Sequence, residues 1–218
     1  MFKDKIIELK HQLIQDASLV EEMIAKSIKG LLDGKEELLL EVMNTEEPKV
    51  NDYDRAIDEL CVQLIAQYEP VARDLRMVIM MIKMNKDLER MADHAVNISE
   101  SSLFLITHPV LSDYGDLQLM GETSVNMLKD SINAFVNEDA VLAMSVRERD
   151  NIVDNAGDKI LKDLTELMRS KKDSIPRCLQ LMRIAHNLER IADLSTNIAE
   201  EVIYIVEGRD VKHHPNAS

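Results

Sequence analysis

Glu-Arg-Met-Ala-Asp at residues 89–93 returns as Glu-Arg-Ile-Ala-Asp at residues 189–193. Both copies lie in a longer echo, in which 86–100 and 186–200 share eight of fifteen positions: Leu, Glu, Arg, Ala, Asp, Asn, Ile and Glu. Such a repeat restricts the chain to two copies of one architecture, expected as residues 1–110 and 111–218. It retains two acids and a base along with its apolar residues, whereas core packing alone requires only apolar side chains of suitable size. On a helix, Glu and Asp four residues apart face the same way, with Cβ atoms about 5–6 Å apart. Two anions so placed repel each other unless something cationic lies between them.

The remaining periodicity is helical. Apolar residues at Ile6, Leu9, Leu13, Ile14, Ala17, Val20, Met23, Ile24, Ile28 and Leu31 recur near 3.6 and predict a helix over 3–32, with Gly30 and Gly34 marking its end. A short helix over 36–43 follows and breaks near Asn44 and Thr45. Thr45 is placed to cap a helix running to Tyr68, with Pro48 tolerated in its first turn. Pro70 opens a third helix over 71–106, which His108 and Pro109 end. In the second half, Ser112 or Asp113 caps a helix to Val136, Asn137 caps a short helix over 138–146, and a longer one covers 148–170. Ser174 and Pro176 begin the last helix, which ends near Gly208; the tail from Arg209 to Ser218 reads as frayed. Val50 and Asn51 fall on Val153 and Asp154, and Ile57 falls on Ile160. The expected fold is all-α, a tandem duplication of two three-helix bundles with the middle helix of each kinked.

Composition agrees: no tryptophan, six glycines, five prolines and thirteen methionines, the last read as gap-fillers of a bundle core. The formal charge of −14 lacks the basic stripe that nucleic-acid phosphates require, and suits cations or a basic protein surface. Cys61 and Cys178 lie within apolar helical pattern and form no Cys-x-x-Cys pair, so both read as buried free thiols in a reducing compartment. The first residues lack the apolar stretch of a signal peptide, and the longest apolar run, Met77 to Ile82, is far short of a membrane span. The expected location is the cytoplasm, with membrane association only through partners.

Four places carry an acid, or its amide, at i and i+4: Glu47/Asn51, Glu89/Asp93, Asp150/Asp154 and Glu189/Asp193. Within each half, one pair starts the middle helix and the other lies inside the last. Antiparallel packing would collect three acids and an amide in the first half and four acids in the second. Oxygen ligands of this kind suit Mg²⁺, Mn²⁺, Ca²⁺ or clustered iron. The competing reading is a solvated acidic face, and Asp54/Asp58 and Asp154/Asp158 show how readily the spacing recurs by chance. Duplication favours metal at Glu89/Asp93 and Glu189/Asp193. His94 and His186 are not repeated and read as surface or satisfied histidines, while Asn97 and Asn197, which do repeat, read first as polar groups pairing helices and second as outer metal ligands. His213 and His214 are assigned nothing.

The duplicated Leu-Glu-Arg-(Met/Ile)-Ala-Asp-x-x-x-Asn-Ile segment, with Pro-Val-Ala-Arg-Asp-Leu-Arg at 70–76 ahead of its first copy, resembles the PhoU family of phosphate-signalling regulators. The resemblance covers nearly the whole chain. It implies two pseudo-symmetric three-helix bundles whose Glu(Asp)-x-x-x-Asp motifs hold metal, iron first, with manganese, magnesium or zinc as alternatives. Glu89, Asp93, Asp150, Asp154, Glu189 and Asp193 match that motif, and Glu47 matches at its first acid, while Asn51 replaces the second. This implies a weaker first-half site. The resemblance further implies a negative regulator of phosphate uptake and starvation signalling, between the ATPase subunit of the phosphate ABC transporter and a sensor histidine kinase. Homodimerisation is left open. Arg73, Asp74 and Arg76 match the family stretch and have no counterparts at Asp173, Ser174 and Pro176, which points to partner docking or to helix capping. An alternative, a di-iron bundle oxidase, requires inward Glu-x-x-His motifs on two helices, and the sequence has none. No nucleophile–base set and no phosphate-cradling glycine loop is present either.

Overall fold

The computed structural model describes residues 2–111 and 114–208. It contains helices α1 (Phe2–Asp33), α2 (Glu36–Glu41), a π turn (Val42–Glu46), α3 (Glu47–Tyr68), α4 (Ala72–Ile106), α5 (Gly115–Asn137), α6 (Ala140–Ser170), a 3₁₀ turn (Lys172–Ser174) and α7 (Ile175–Glu207). No strand occurs among the described residues. The expected caps at Ser112 and Asp113, the tail from Arg209 and His213–His214 lie outside them.

Each repeat packs three helices: α1, α3 and α4 in the first, α5, α6 and α7 in the second. The repeats meet where α4 lies against α7 and α1 against α5, so that α3 and α6 form the two outer flanks. Both helices of the main crossing carry the repeated segment. Lys83 pairs with Glu201 at 2.9 Å, and Arg183, its counterpart, pairs with Glu100 at 2.8 Å and donates to Asn97 Oδ1 at 2.6 Å. The exchange is reciprocal about Met91 and Ile191, equivalent residues that have no exposed surface. The Arg183–Glu100 pair is exposed and contributes about 0–1 kcal/mol, the Lys83 pair ends on buried Glu201, and apolar burial supplies the adhesion. Five methionines of α4, Met77, Met80, Met81, Met84 and Met91, are buried and serve as adaptable core packing. Cys61 and Cys178 are buried and free.

Two local expectations need correction. Thr45 does not cap a new helix: the chain passes from α2 into α3 through the π turn, which inserts a residue without ending the hydrogen-bonded run. Buried Glu46 anchors this turn to Lys26 of α1 at 2.5 Å, and Lys26 also holds Glu22 and Glu41. In the second repeat α6 is unbroken where two helices are expected. Its cap is Asp139, not Asn137, accepting at 3.0 Å from the backbone N–H of both Val141 and Leu142. Ser174 stands at the N-cap of α7, as expected, with its hydroxyl turned back to Lys171 O at 2.6 Å, and the far end of the helix closes on left-handed Gly208.

Met91→Ala, at the centre of the crossing, is expected to destabilise the chain by about 2–5 kcal/mol in urea unfolding. Glu100→Ala, which removes the exposed pair with Arg183, is expected to change stability by about 1 kcal/mol or less.

Candidate functional site

Helices α6 and α7 bring the acids of the second repeat onto one half-exposed face. Asp150, one turn before Asp154, is the most perturbed. Its pKa rises from 3.8 to about 6 through burial first, then through the charges of Asp154, Asp193 and Glu200. Asp154 is raised by burial, Asp193 and Asp158. Glu189 is raised by burial and by Asp154 and Asp158, against a lowering by His186, whose Nδ1 stands 3.7 Å from its carboxylate. The four expected acids of this half therefore share one field, joined by Asp158 and Glu200.

Two local features shape the face. Gly157 is buried beneath Glu189, and a Cβ added there would collide with Glu189 Oε1, so glycine makes room for the carboxylate. Asp150 Oδ1 is buried with no hydrogen-bond partner. Basic groups reach only the margins: Arg190 holds Asp193 at 3.0 Å and Arg147 holds Glu200 at 3.1 Å. Among the described residues no three His, Cys, Asp or Glu side chains are drawn together tightly enough to coordinate an ion. The face is thus an assembly of mutually repelling oxygens with one dry, unpartnered atom. Hard cations fit that donor chemistry, and the residues that would have to draw together to hold one are Asp150, Asp154, Glu189 and Asp193.

In the first repeat the equivalent residues are balanced differently. Asn51 donates to Glu47 at 2.6 Å, so the amide satisfies its own pair. Glu89 is raised by burial, then by Asp93 and by Asp54, with Lys86 and Arg90 opposing. The α3 acid bearing on Glu89 is therefore Asp54, one turn beyond Asn51. Lys86 clasps Asp54 at 2.8 and 2.9 Å and Asp58 at 3.0 Å. In the second repeat the matching positions hold His186, Gly157 and Leu161. One repeat supplies its own ammonium ion and the other does not.

The unrepeated His94 is a junction residue: its Nδ1 lies 2.8 Å from Asn187 Oδ1. Asn187 donates its Nδ2 to Arg183 O, which leaves Oδ1 to accept from a protonated His94 Nδ1. Arg73 pairs with Glu138 of the α5–α6 turn, joining the Pro-Val-Ala-Arg-Asp stretch to the other repeat. Asp54, Asp158 and Glu200 are the acids that sequence reasoning left out of the site. The first two were visible as i, i+4 spacings, and Glu200 as the last residue of the repeated segment.

A PhoU domain family model matches residues 13–102 and again 117–202. The chain belongs to the PhoU family. A phosphate-specific transport system accessory protein PhoU homolog of Aquifex aeolicus is 36% identical over 213 residues, covering 98% of this chain and 96% of that protein. One of Pseudomonas putida is 33% identical over 213 residues, 97% of this chain and 83% of that protein. The fold matches the crystal structure of PhoU from Pseudomonas aeruginosa with a TM-score of 0.93 at 31% identity, over 96% of this chain and all of that one. The phosphate transport system regulatory protein PhoU from Streptococcus pneumoniae matches at 0.90 and 31%, over 97% of this chain and all of that one. These PhoU relatives are named as accessory and regulatory proteins, and membership places this chain with regulators rather than with the bundle oxidases. No helix among the described residues is long and apolar enough to cross a membrane.

The Asp150 shift gives a pH test in metal-free protein. A carboxyl whose folded pKa exceeds its unfolded value takes up its proton first in the native state. Stability therefore falls as pH climbs from about 4 to about 6 and levels off above. Asp150→Asn is expected to flatten that fall in urea midpoints; a profile identical to that of the unsubstituted chain would show that Asp150 carries no such strain.

Proposed function

We propose that this chain is a negative regulator of phosphate uptake and phosphate-starvation signalling. In this reading it is a non-enzymatic helical adaptor in the cytoplasm, docking peripherally on the ATPase subunit of the phosphate transporter and on a sensor histidine kinase. Its two repeats, taken as 1–110 and 111–218, are joined where α4 packs on α7. The observation that carries the reading is the family match, which spans both repeats and most of the chain.

The acidic face of α6 and α7 is the part of the surface on which we base the regulatory contact. Asp150, Asp154, Glu189 and Asp193 hold a metal ion there, with iron the first choice among carboxylate-held metals. The unpartnered Asp150 oxygen supports this. A bound cation removes the repulsion among the acids and presents a fixed charge pattern to a partner. Glu47, Asn51, Glu89 and Asp93 form the lesser site, because an amide stands for one acid and Lys86 already neutralises the neighbouring Asp54.

The test is a phosphate-starvation reporter in cells lacking this chain and grown in ample phosphate. The reporter is expected to stay on, to be silenced by the unsubstituted chain, and to remain on with Glu189→Gln/Asp193→Asn, checked as folded by circular dichroism. Full silencing by the double variant would remove the metal face from the mechanism. Failure of the unsubstituted chain to silence would overturn the regulatory reading.

A further inference from the structure

The first repeat buries polar atoms that its own fold leaves without partners. Asp16 lies on the core side of α1 with no exposed surface, and neither of its carboxylate oxygens has a hydrogen-bond donor. One turn earlier on the same face, Gln12 Oε1 is also buried and unpartnered. On α4, Asn85 is fully buried. Its Nδ2 donates to Asp54 O at 3.0 Å, to Asp54 Oδ1 at 2.8 Å and to Asp58 Oδ1 at 3.1 Å. Those three acceptors fix the amide's orientation, so Asn85 Oδ1 is an acceptor left without a donor.

The repeat relation brings these groups to one level. Leu13, Met23, Ser27 and Ile28 of α1 fall on Leu117, Met127, Ser131 and Ile132 of α5. In the second repeat Ser124 Oγ reaches Leu188 O at 3.3 Å, so in the first Val20 faces Leu88. One turn back along both helices, Asp16 comes level with Met84 and Asn85. Asp54 borders both: it receives the Asn85 amide, and its charge adds to burial in raising the Asp16 pKa to about 7.

The second repeat has nothing comparable. Met120 stands for Asp16, Ala185 for Asn85 and Leu161 for Asp58, while Gly157 stands for Asp54 and leaves its place to the Glu189 carboxylate, so at the level of Asp16 and Asn85 the second repeat is apolar. Packing therefore does not demand the polar set. A single proton on Asp16 would satisfy one acceptor and leave the others donorless. Asp16, Asp54 and Asp58 against the one ammonium of Lys86 leave two negative charges, which a divalent ion balances. Every free atom is a carboxylate or amide oxygen, the donor type of hard cations. We propose that the unpartnered oxygens of Asp16, Gln12 and Asn85, with Asp54 as the bordering charge, form a buried site for a hard divalent cation of the Mg²⁺ or Ca²⁺ class, inside the first bundle and separate from the acidic face of α6 and α7.

The test uses the full chain carrying Glu189→Gln/Asp193→Asn, so that the second-repeat face cannot report, stripped with chelator and then melted with added MgCl₂ or CaCl₂. A saturable rise in Tm is expected with Asp16 present. It is expected to vanish in Asp16→Met, which borrows the second repeat's residue, while that variant melts higher than its parent in chelator. Asp16→Asn must lose the same response, and it serves if the methionine variant fails to fold. No rise in the parent, an undiminished rise in either Asp16 variant, or an equal rise with NaCl at matched ionic strength overturns the site. Stabilisation by acid alone, without any ion response, overturns it in favour of a protonated buried carboxyl.

Discussion

The antiparallel crossing of α4 and α7 is the contact on which the rest of the molecule depends. It joins a helical segment to its own repeat, so the residues that pack the seam and those that bear charge lie on the same two turns. Met91 and Ile191 are both buried, and beside them Glu89 bears on Asp54 of α3 and Glu189 on Asp154 of α6. Burying Met91 and Ile191 contributes about 1.5–3 kcal/mol for each side chain, whereas each exposed ion pair at the crossing contributes about 1 kcal/mol at most. The apolar seam therefore decides the fold, and the acids are carried into proximity whether or not their charges agree.

From that constraint the two repeats diverge. The first meets part of the repulsion with groups of its own: Lys86 clasps Asp54 and Asp58, and Asn51 donates to Glu47, while Glu89 stays raised by burial, Asp93 and Asp54. The second has His186, Gly157 and Asp154 at the corresponding places, and its acids are left with margin contacts from Arg190 and Arg147. Raised pKa values at Asp150, Asp154 and Glu189 express the same imbalance. Duplication preserved the scaffold while allowing the two halves to settle their charge by different means.

Much of this was legible in the residues. The repeat, the ends of α1, α4 and α7, the buried cysteines and the convergence of Asp150/Asp154 with Glu189/Asp193 follow from periodicity and spacing. The π turn did not: Asn44 and Thr45 have the chemistry of a break, and only the buried Glu46–Lys26 contact shows why the chain continues. Asp139 was overlooked as a cap because Asn137 offered the same chemistry two residues earlier; Asn137 instead donates to Asn133 O. Asp54 was discounted because its spacing with Asp58 recurs among forty acids. Asp16 sits in an otherwise apolar stripe, and periodicity has no means to mark a single polar core residue as deliberate.

The most direct test of the central claim is elemental mass spectrometry of the untagged chain as isolated, with Glu189→Gln/Asp193→Asn beside Glu47→Gln/Glu89→Gln. The account predicts a stoichiometric transition metal, iron before manganese, that is lost in the second-repeat variant and largely kept in the first-repeat variant. Absence of such a metal from the unsubstituted chain, or equal loss in both variants, would contradict it.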